Sequence, residues 1–234
     1  GNDGDQAANN AAYFQNNIVQ ASAHYFVDDT TVWRSVPDLK VAWAVGGKKY
    51  ANADKKVGAI QGLDTSTLNA MGTGFACGAR FYDSEVEVLI STVGSFTDVN
   101  TCKEMAVSMY DQGVDIILNL AGSGTGIWSA LEEQHFYGIG CGANQNSMSP
   151  YIVATAGFVL TNLIYQQCQQ IIDGTWTGGN QYPSFSDGAF EYLLEDASIT
   201  LSDEIIEKVE AAREWYVNSG VELPTTMEEV DAWI

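Results

Sequence analysis

From Lys55 onward, apolar and polar positions come in alternating blocks. KKVGAIQG (55–62), EVEVLISTVG (85–94), VDIILNLAG (114–122) and HFYGIGCG (135–142) are short, nearly continuous apolar runs that end at glycine. Runs of this length and residue type predict strands buried on both faces. Helical spacing fills the gaps between them. One helix is expected from Thr65 to about Tyr82, with small residues on one side. A second, capped by Asp98 or Thr97, runs through Asp111 to a closing Gly113, and a third spans Thr125 to Gln134. A long helical run is read from about Thr155 to Ile172, ending at Asp173-Gly174. GAFEYLL is then apolar, Ser202 caps an amphipathic helix that stops at Gly220, and the tail ELPTTMEEVDAWI predicts a short terminal helix.

Strand and helix alternating across short links predict an α/β fold, a doubly wound parallel sheet covered on both faces. Ligands of such sheets bind at the carboxyl ends of the strands. QG, VGSF, LAGSGTG and GCGANQ all fall there. Residues 1–54 show no strand–helix alternation; AANNAAYFQNNIVQASAHYFV and VPDLKVAWAVGGKKYA are helical in spacing. The expected division is a helical segment over 1–54 and an α/β ligand-binding lobe with C-terminal helices over 55–234.

Composition narrows the partners. Hydrophobic residues make up 46% of the 234, enough for a buried core. Ten Lys and Arg stand against 30 Asp and Glu, a formal charge of -20. That balance repels nucleic-acid phosphates and anionic membrane surfaces. No apolar stretch reaches the roughly 20 residues that span a bilayer; the best, Tyr151 to Ile164, is too short and contains Thr155, Gly157, Thr161 and Asn162. Cys77, Cys102, Cys141 and Cys168 form no CxxC pair and have no ligand-spaced histidine, which argues against zinc and leaves buried free thiols or a disulfide as alternatives.

The candidate chemistry sits in the glycine turns. GSGTG lacks the lysine of a P-loop, since Ile127 and Trp128 follow, and lacks the GxGxxG spacing. Its backbone N–H groups can still meet a hydroxyl or carboxylate at a helix start; a plain tight turn is the alternative. Ser123 is not spaced as a nucleophile elbow, and His135 begins a strand at the opposite edge. Cys141, between two glycines, has no evident base to lower its pKa. Asp64 is either a ligand hydroxyl acceptor or the cap of the helix at Thr65. Trp128, Phe96 and Tyr151 can stack on a ring or fill the core. No catalytic set emerges, and no cofactor is implied.

KVGAIQGLDTSTLNAMGTGFACGAR, VGSFTDVNTCKEMAVSMYDQGVDIILNLAGSGTGIW and YGIGCGANQNSMSP, taken in order from Lys55 to Pro150, resemble the basic membrane protein (BMP) lipoproteins. These are the purine nucleoside receptor type of ABC-transporter solute-binding protein. DGTW at Asp173 to Trp176 extends the likeness. The resemblance implies a type I periplasmic-binding fold whose two lobes close on a small solute, a nucleoside or similar compound, delivered to an ABC permease. It implies an extracytoplasmic home, with a lipid anchor as the only membrane attachment. It carries Asp64, Phe96, Ser123, Gly124, Thr125 and Asn144 to the cleft wall. Gly142 stands where the family has an aspartate, Asn144 at a second acidic position, and Phe158 near a family lysine. The first lobe is expected to be largely missing or reduced, and a second subunit is a candidate for the other wall. A sensor or interaction protein with a degenerate ligand site is the alternative reading.

Overall fold

The apolar runs become the strands they predict. The computed structural model of the chain describes residues 25–27, 32–34, 56–122, 124–179 and 187–233. Strands β1 (Tyr25–Val27) and β2 (Val32–Arg34) form an antiparallel pair in the register Tyr25↔Arg34. Tyr25–Val27 therefore ends the helical reading of the N-terminal segment: aromatic and β-branched residue types favour a pleated pairing. The rest of 1–54, with its expected helices, lies outside the described residues.

The chain then alternates: β3 (Lys56–Gln61), α1 (Ser66–Tyr82), β4 (Glu87–Thr92), α2 (Val99–Asp111), β5 (Val114–Leu120), α3 (Thr125–Gln134) and β6 (Tyr137–Gly142). A 3₁₀ turn at Asn146–Met148 leads to β7 (Ile152–Phe158), α4 (Leu160–Asp173), β8 (Phe190–Leu193), α5 (Asp203–Ser219) and α6 (Met227–Trp233). The six-stranded sheet has the order β4-β3-β5-β6-β7-β8. Its first five strands are parallel, while β8 runs antiparallel to β7. An antiparallel edge strand on an otherwise parallel sheet corrects the all-parallel expectation.

Local chemistry fixes the helix starts. Thr65, not Asp64, caps α1, its hydroxyl accepting from Leu68 N at 3.3 Å. Asp98, not Thr97, caps α2, accepting from Thr101 N at 3.0 Å. The segment 155–158, expected to be helical, belongs to β7, which pairs with β6 and β8. An unbroken apolar run fits a buried strand as well as a helix, and pairing on both sides decides for the strand.

The sheet is wound on both faces. Ile60 and Ile117 pack with Ala106, Met109, Ile127, Trp128 and Leu131 of α2 and α3. Ala59 and Leu118 turn the other way, toward Leu68, Met71 and Phe75 of α1. Burying a large aliphatic side chain contributes about 1.5–3 kcal/mol, so this double layer dominates the described core. α6 closes the outer side of α1 through Val230, beside Ala76 and Cys77, and Thr73 Oγ1 donates to Pro224 O at 2.9 Å. Cys77 and Cys102 are buried and free, as one sequence alternative holds, whereas Cys141 is half-buried and Cys168 exposed.

Candidate functional site

The strand order places a topological switch between β3 and β5. From β3 the chain goes outward to β4, then crosses back to β5 on the other side. The loops leaving β3 and β5 diverge there, toward α1 on one face and α3 on the other, the point at which sheets of this kind hold their ligands. The loop after β4 lays Phe96 across the ends of β3 and β5. A Cβ on Gly62 would stand 2.3 Å from Phe96 Cδ1, so only glycine lets the ring lie so close to the end of β3. The Phe96 ring also borders Gly122, after β5, and is 48% exposed.

The LAGSGTGIW turn explains itself beside this ring. Gly124 is the N-cap of α3 at φ 68°, ψ 10°, a left-handed conformation that other residues enter at a cost. Gly126 lets α3 approach α2: a Cβ there would stand 2.3 Å from Val99 O. Thr125 is exposed on the first turn of α3. Ser95, Phe96, Asp98, Gly124 and Thr125 thus line one shallow concavity. Hydrogen bonds from the backbone and then the side chain of Thr101 hold the Asp98 carboxyl below its usual range, as a helix cap requires.

Asp64 stands exposed after β3. Its Oδ1 accepts from Asn69 Nδ2 at 2.8 Å. Asn69 Oδ1 in turn accepts from Gln61 Nε2 at 2.9 Å, and the same Nε2 reaches Thr92 Oγ1 at 2.9 Å. Gln61 is 4% exposed, and its Oε1 is buried without a partner.

A second polar cluster knots the ends of β5, β6, β7 and β8. Asn119 Nδ2 donates to Gly122 O (2.9 Å) and to Gln145 Oε1 (3.0 Å); Ala121 N donates to Asn119 Oδ1. Gln145 Nε2 adds a second bond to Gly122 O at 3.0 Å. Gln145 N donates to Thr155 Oγ1, which donates to Asn146 Oδ1 at 2.8 Å. Asn146 Nδ2 reaches Leu193 O and Glu195 O. Asn119, Gln145, Asn146 and Thr155 are all buried, so an unmade bond here would cost about 1–3 kcal/mol. Asn144 joins from the exposed side, donating to Glu195 O at 3.1 Å and accepting from Asn146 N at 2.9 Å.

Phe96, Gly124 and Thr125 therefore meet at one concavity, and Asp64 lies on the same edge beside β3. Asn144 is placed after β6, its amide already engaged, and Ser123 lies outside the described residues. Trp128 is core, 4% exposed, and Tyr151 sits at the opposite edge against His135. Burial pushes the Cys141 thiol up, away from a nucleophilic thiolate. Phe158 closes on Gly142, 4.0 Å from where its Cβ would be, and meets Phe190 edge-on at 5.8 Å. The contact among Gly142, Phe158 and Phe190 is aromatic and carries no charge, with Glu191 paired to Gly157 beside it. Among the described residues no three His, Cys, Asp or Glu side chains gather to hold a metal. The buried amides of Gln61, Asn119, Gln145 and Asn146 are missing from the sequence reading; amides at the ends of apolar strands, in IQG, LNLAG and GANQN, were the available signal.

Residues 47–226 match the family model described as Bmp, ABC transporter substrate-binding protein PnrA-like. The chain belongs to this family. It is a family of substrate-binding proteins, not of catalysts. Basic membrane protein B of Borrelia garinii subsp. bavariensis is 30% identical over 156 residues, 63% of this chain and 45% of that protein. An uncharacterized lipoprotein of Pyrococcus horikoshii is 24% identical over 206 residues, 75% of this chain and 50% of the relative. The chain thus spans about half the length of these curated relatives. Among solved structures, an ABC transporter solute-binding protein from Conexibacter woesei superposes with a TM-score of 0.61 at 18% identity, covering 74% of this chain and 58% of that one. A transcriptional activator of the comK gene from Bacillus halodurans gives 0.61 at 24% identity, covering 74% and 60%. These likenesses establish a periplasmic-binding-protein-like fold.

Proposed function

We propose that this chain forms one wall of an extracytoplasmic solute-binding protein that serves an ABC importer and captures an uncharged ring compound, a nucleoside or similar solute. The observation that carries this reading is the half-exposed Phe96 ring at the switch point between β3 and β5. An aromatic face there stacks on a planar solute. Asp64 accepts a hydroxyl or amino proton, and the first turn of α3 at Gly124 and Thr125, with the neighbouring Ser123, supplies backbone donors. Asn144 fixes the far rim through Glu195.

The charge pattern supports a solute without an anionic group. From residue 56 onward, the five Lys and Arg side chains among the described residues are all ion-paired: Lys56 with Glu87, Arg80 with Asp231, Lys103 with Glu133, Lys208 with Glu204 and Arg213 with Glu210. None stands on a strand-end loop. A phosphate or carboxylate would enter a chain of formal charge -20 with no described counter-charge at this edge. The lipoprotein relatives support delivery at the outer face of a membrane, through a lipid anchor and a permease.

A thermal-shift panel of nucleosides, free bases, nucleotides, sugars and amino acids tests this. A solute well above its dissociation constant stabilises by about 2.7 kcal/mol at a hundredfold excess. Nucleosides or bases are expected to raise the midpoint, and their 5′-phosphates to leave it unchanged. A shift from nucleotides alone would refute the uncharged-solute reading. Silence across the panel would favour the second reading, a sensor or interaction protein on the same fold, which the uncharged Gly142–Phe158 contact already favours.

A further inference from the structure

Gln61 is a long polar side chain at the end of an apolar strand, and its amide is oriented from the surface inward. Asp64 is exposed, and its carboxylate can only accept. Asn69 therefore turns its Nδ2 to Asp64 Oδ1, at 2.8 Å, which leaves Asn69 Oδ1 facing the sheet. Gln61 answers with Nε2, at 2.9 Å from Asn69 Oδ1 and 2.9 Å from Thr92 Oγ1, and so uses both of its amide hydrogens. Its Oε1 is then turned toward Gly72 in α1, 3.8 Å from where a Cβ there would stand. The N–H groups at that level of α1 are committed to the helix itself. Oε1 ends buried with no partner among the described residues, on a side chain only 4% exposed. The reverse amide orientation would give Oε1 hydrogens from Asn69 and Thr92, but it would turn Asn69 Oδ1 against the carboxylate. A buried oxygen without a donor is destabilising, and a residue kept in spite of that is a mark of function rather than of packing.

We propose that Gln61 is a positioning residue for solute capture: acting through Asn69, it fixes Asp64 with Oδ1 engaged and Oδ2 left as an acceptor at the solute edge. The proposal rests on the solute-binding reading, in which Asp64 faces the solute. No described group engages Oδ2. The subsite is then acceptor-only: it takes a solute hydroxyl or N–H and turns away a group that can only accept. What the relay contributes is preorganisation. An unheld carboxylate on an exposed turn samples several rotamers, and a solute must stop that motion in order to bind; one already held by an ordered amide needs less. The relay runs from Thr92 at the end of β4, through Gln61 at the end of β3, to Asn69 on α1. Regular elements, not the loop itself, therefore set where the carboxylate stands. Gln61 is buried and acts only through Asn69.

Gln61→Met tests this in the whole chain, because methionine fills a similar volume without an amide. It removes the unpaired oxygen, and the acceptors it leaves behind, Asn69 Oδ1 and Thr92 Oγ1, belong to part-exposed residues that water can reach. The unfolding midpoint is expected to hold or to rise. In nitrogen-15 spectra the Asn69 side-chain amide pair should collapse toward the position of a free amide, and it should also move in Asp64→Ala. With adenosine as the probe, calorimetry should find binding weakened about fivefold in Gln61→Met. Combined with Asp64→Ala, it should add nothing to the loss that Asp64→Ala causes alone, since the two act in one chain of bonds. A lower midpoint with an unmoved Asn69 pair would make Gln61 a packing residue and overturn the inference. Losses that add in the combined variant would overturn it equally. If the parent ignores adenosine while the Asn69 pair still collapses in Gln61→Met, the nucleoside reading fails and the positioning of Asp64 by Gln61 stands.

Discussion

The two halves of the carboxyl edge use the same residue types to opposite ends. From β5 through β6, β7 and β8, Asn119, Gln145, Asn146 and Thr155 bond one another and the adjacent backbone, and Asn144 is tied to Glu195 O. Around β3 and β4, Gln61 keeps a buried oxygen without a partner, Asp64 is exposed, and Phe96 is half-exposed. A saturated network has nothing left to offer a solute and rigidifies the edge. A partly open one has groups and surface to offer. The difference teaches that an amide at a strand end is no mark of recognition by itself; what matters is whether the protein has already answered it.

The largest effect should come from breaking the saturated half. Asn146 is fully buried and holds Leu193 O, Glu195 O and the Thr155 hydroxyl. Asn146→Ala strands several of these groups at about 1–3 kcal/mol each. A loss of roughly 3 kcal/mol or more is expected in urea unfolding, with β8 the first element to lose hydrogen-exchange protection. A loss below about 1 kcal/mol would show that the network is not what holds β7 and β8 together.

The next effect separates sheet stability from recognition. Asp115 sits near the amino end of β5, away from the carboxyl edge, and burial raises its carboxyl to about 7. Its unfolded value is about 3.9. The folded state therefore holds the proton more tightly, and stability falls as pH climbs from about 4 through 7. The full shift corresponds to an upper limit of about 4 kcal/mol, which relaxation and water access reduce to roughly 2. Asp115→Asn should flatten this part of the pH–stability curve while the affinity for a captured solute stays constant. Solute affinity that follows the same titration would mean the two ends of β5 are coupled.

Much of the scaffold was legible because its physics is local. Continuous apolar runs marked β3 to β6, and capping chemistry placed α1 and α2 within a residue or two. What escaped depended on tertiary pairing. Thr155–Phe158 looks helical until β6 and β8 take it from both sides, and nothing short of that pairing reveals β8 as antiparallel. Glycine turns announced the carboxyl edge, and Phe96 and Asp64, expected there from motif order, lie on it. The division between open and saturated amides was hidden, since it rests on contacts such as Asn119 with Gln145, 26 residues apart.

The smallest effects discriminate most sharply. Phe96 and Asn144 are both exposed at the carboxyl edge, and neither change to alanine removes a buried group. Their stabilities should stay within about 1 kcal/mol of the parent. Their affinities should part. Phe96→Ala removes the aromatic face at the switch point and is expected to cost about 0.5–1.5 kcal/mol of ring contact, up to roughly tenfold in Kd. Phe96→Tyr, which keeps the face, should bind nearly as the parent does. Asn144→Ala removes an amide whose donor and acceptor are already engaged by Glu195 O and Asn146 N, so titration calorimetry should find less than a twofold change, about 0.4 kcal/mol. Equal losses at the two positions would erase the distinction between an open and a saturated half, because a solute that gains as much from Asn144 must first pull it away from Glu195.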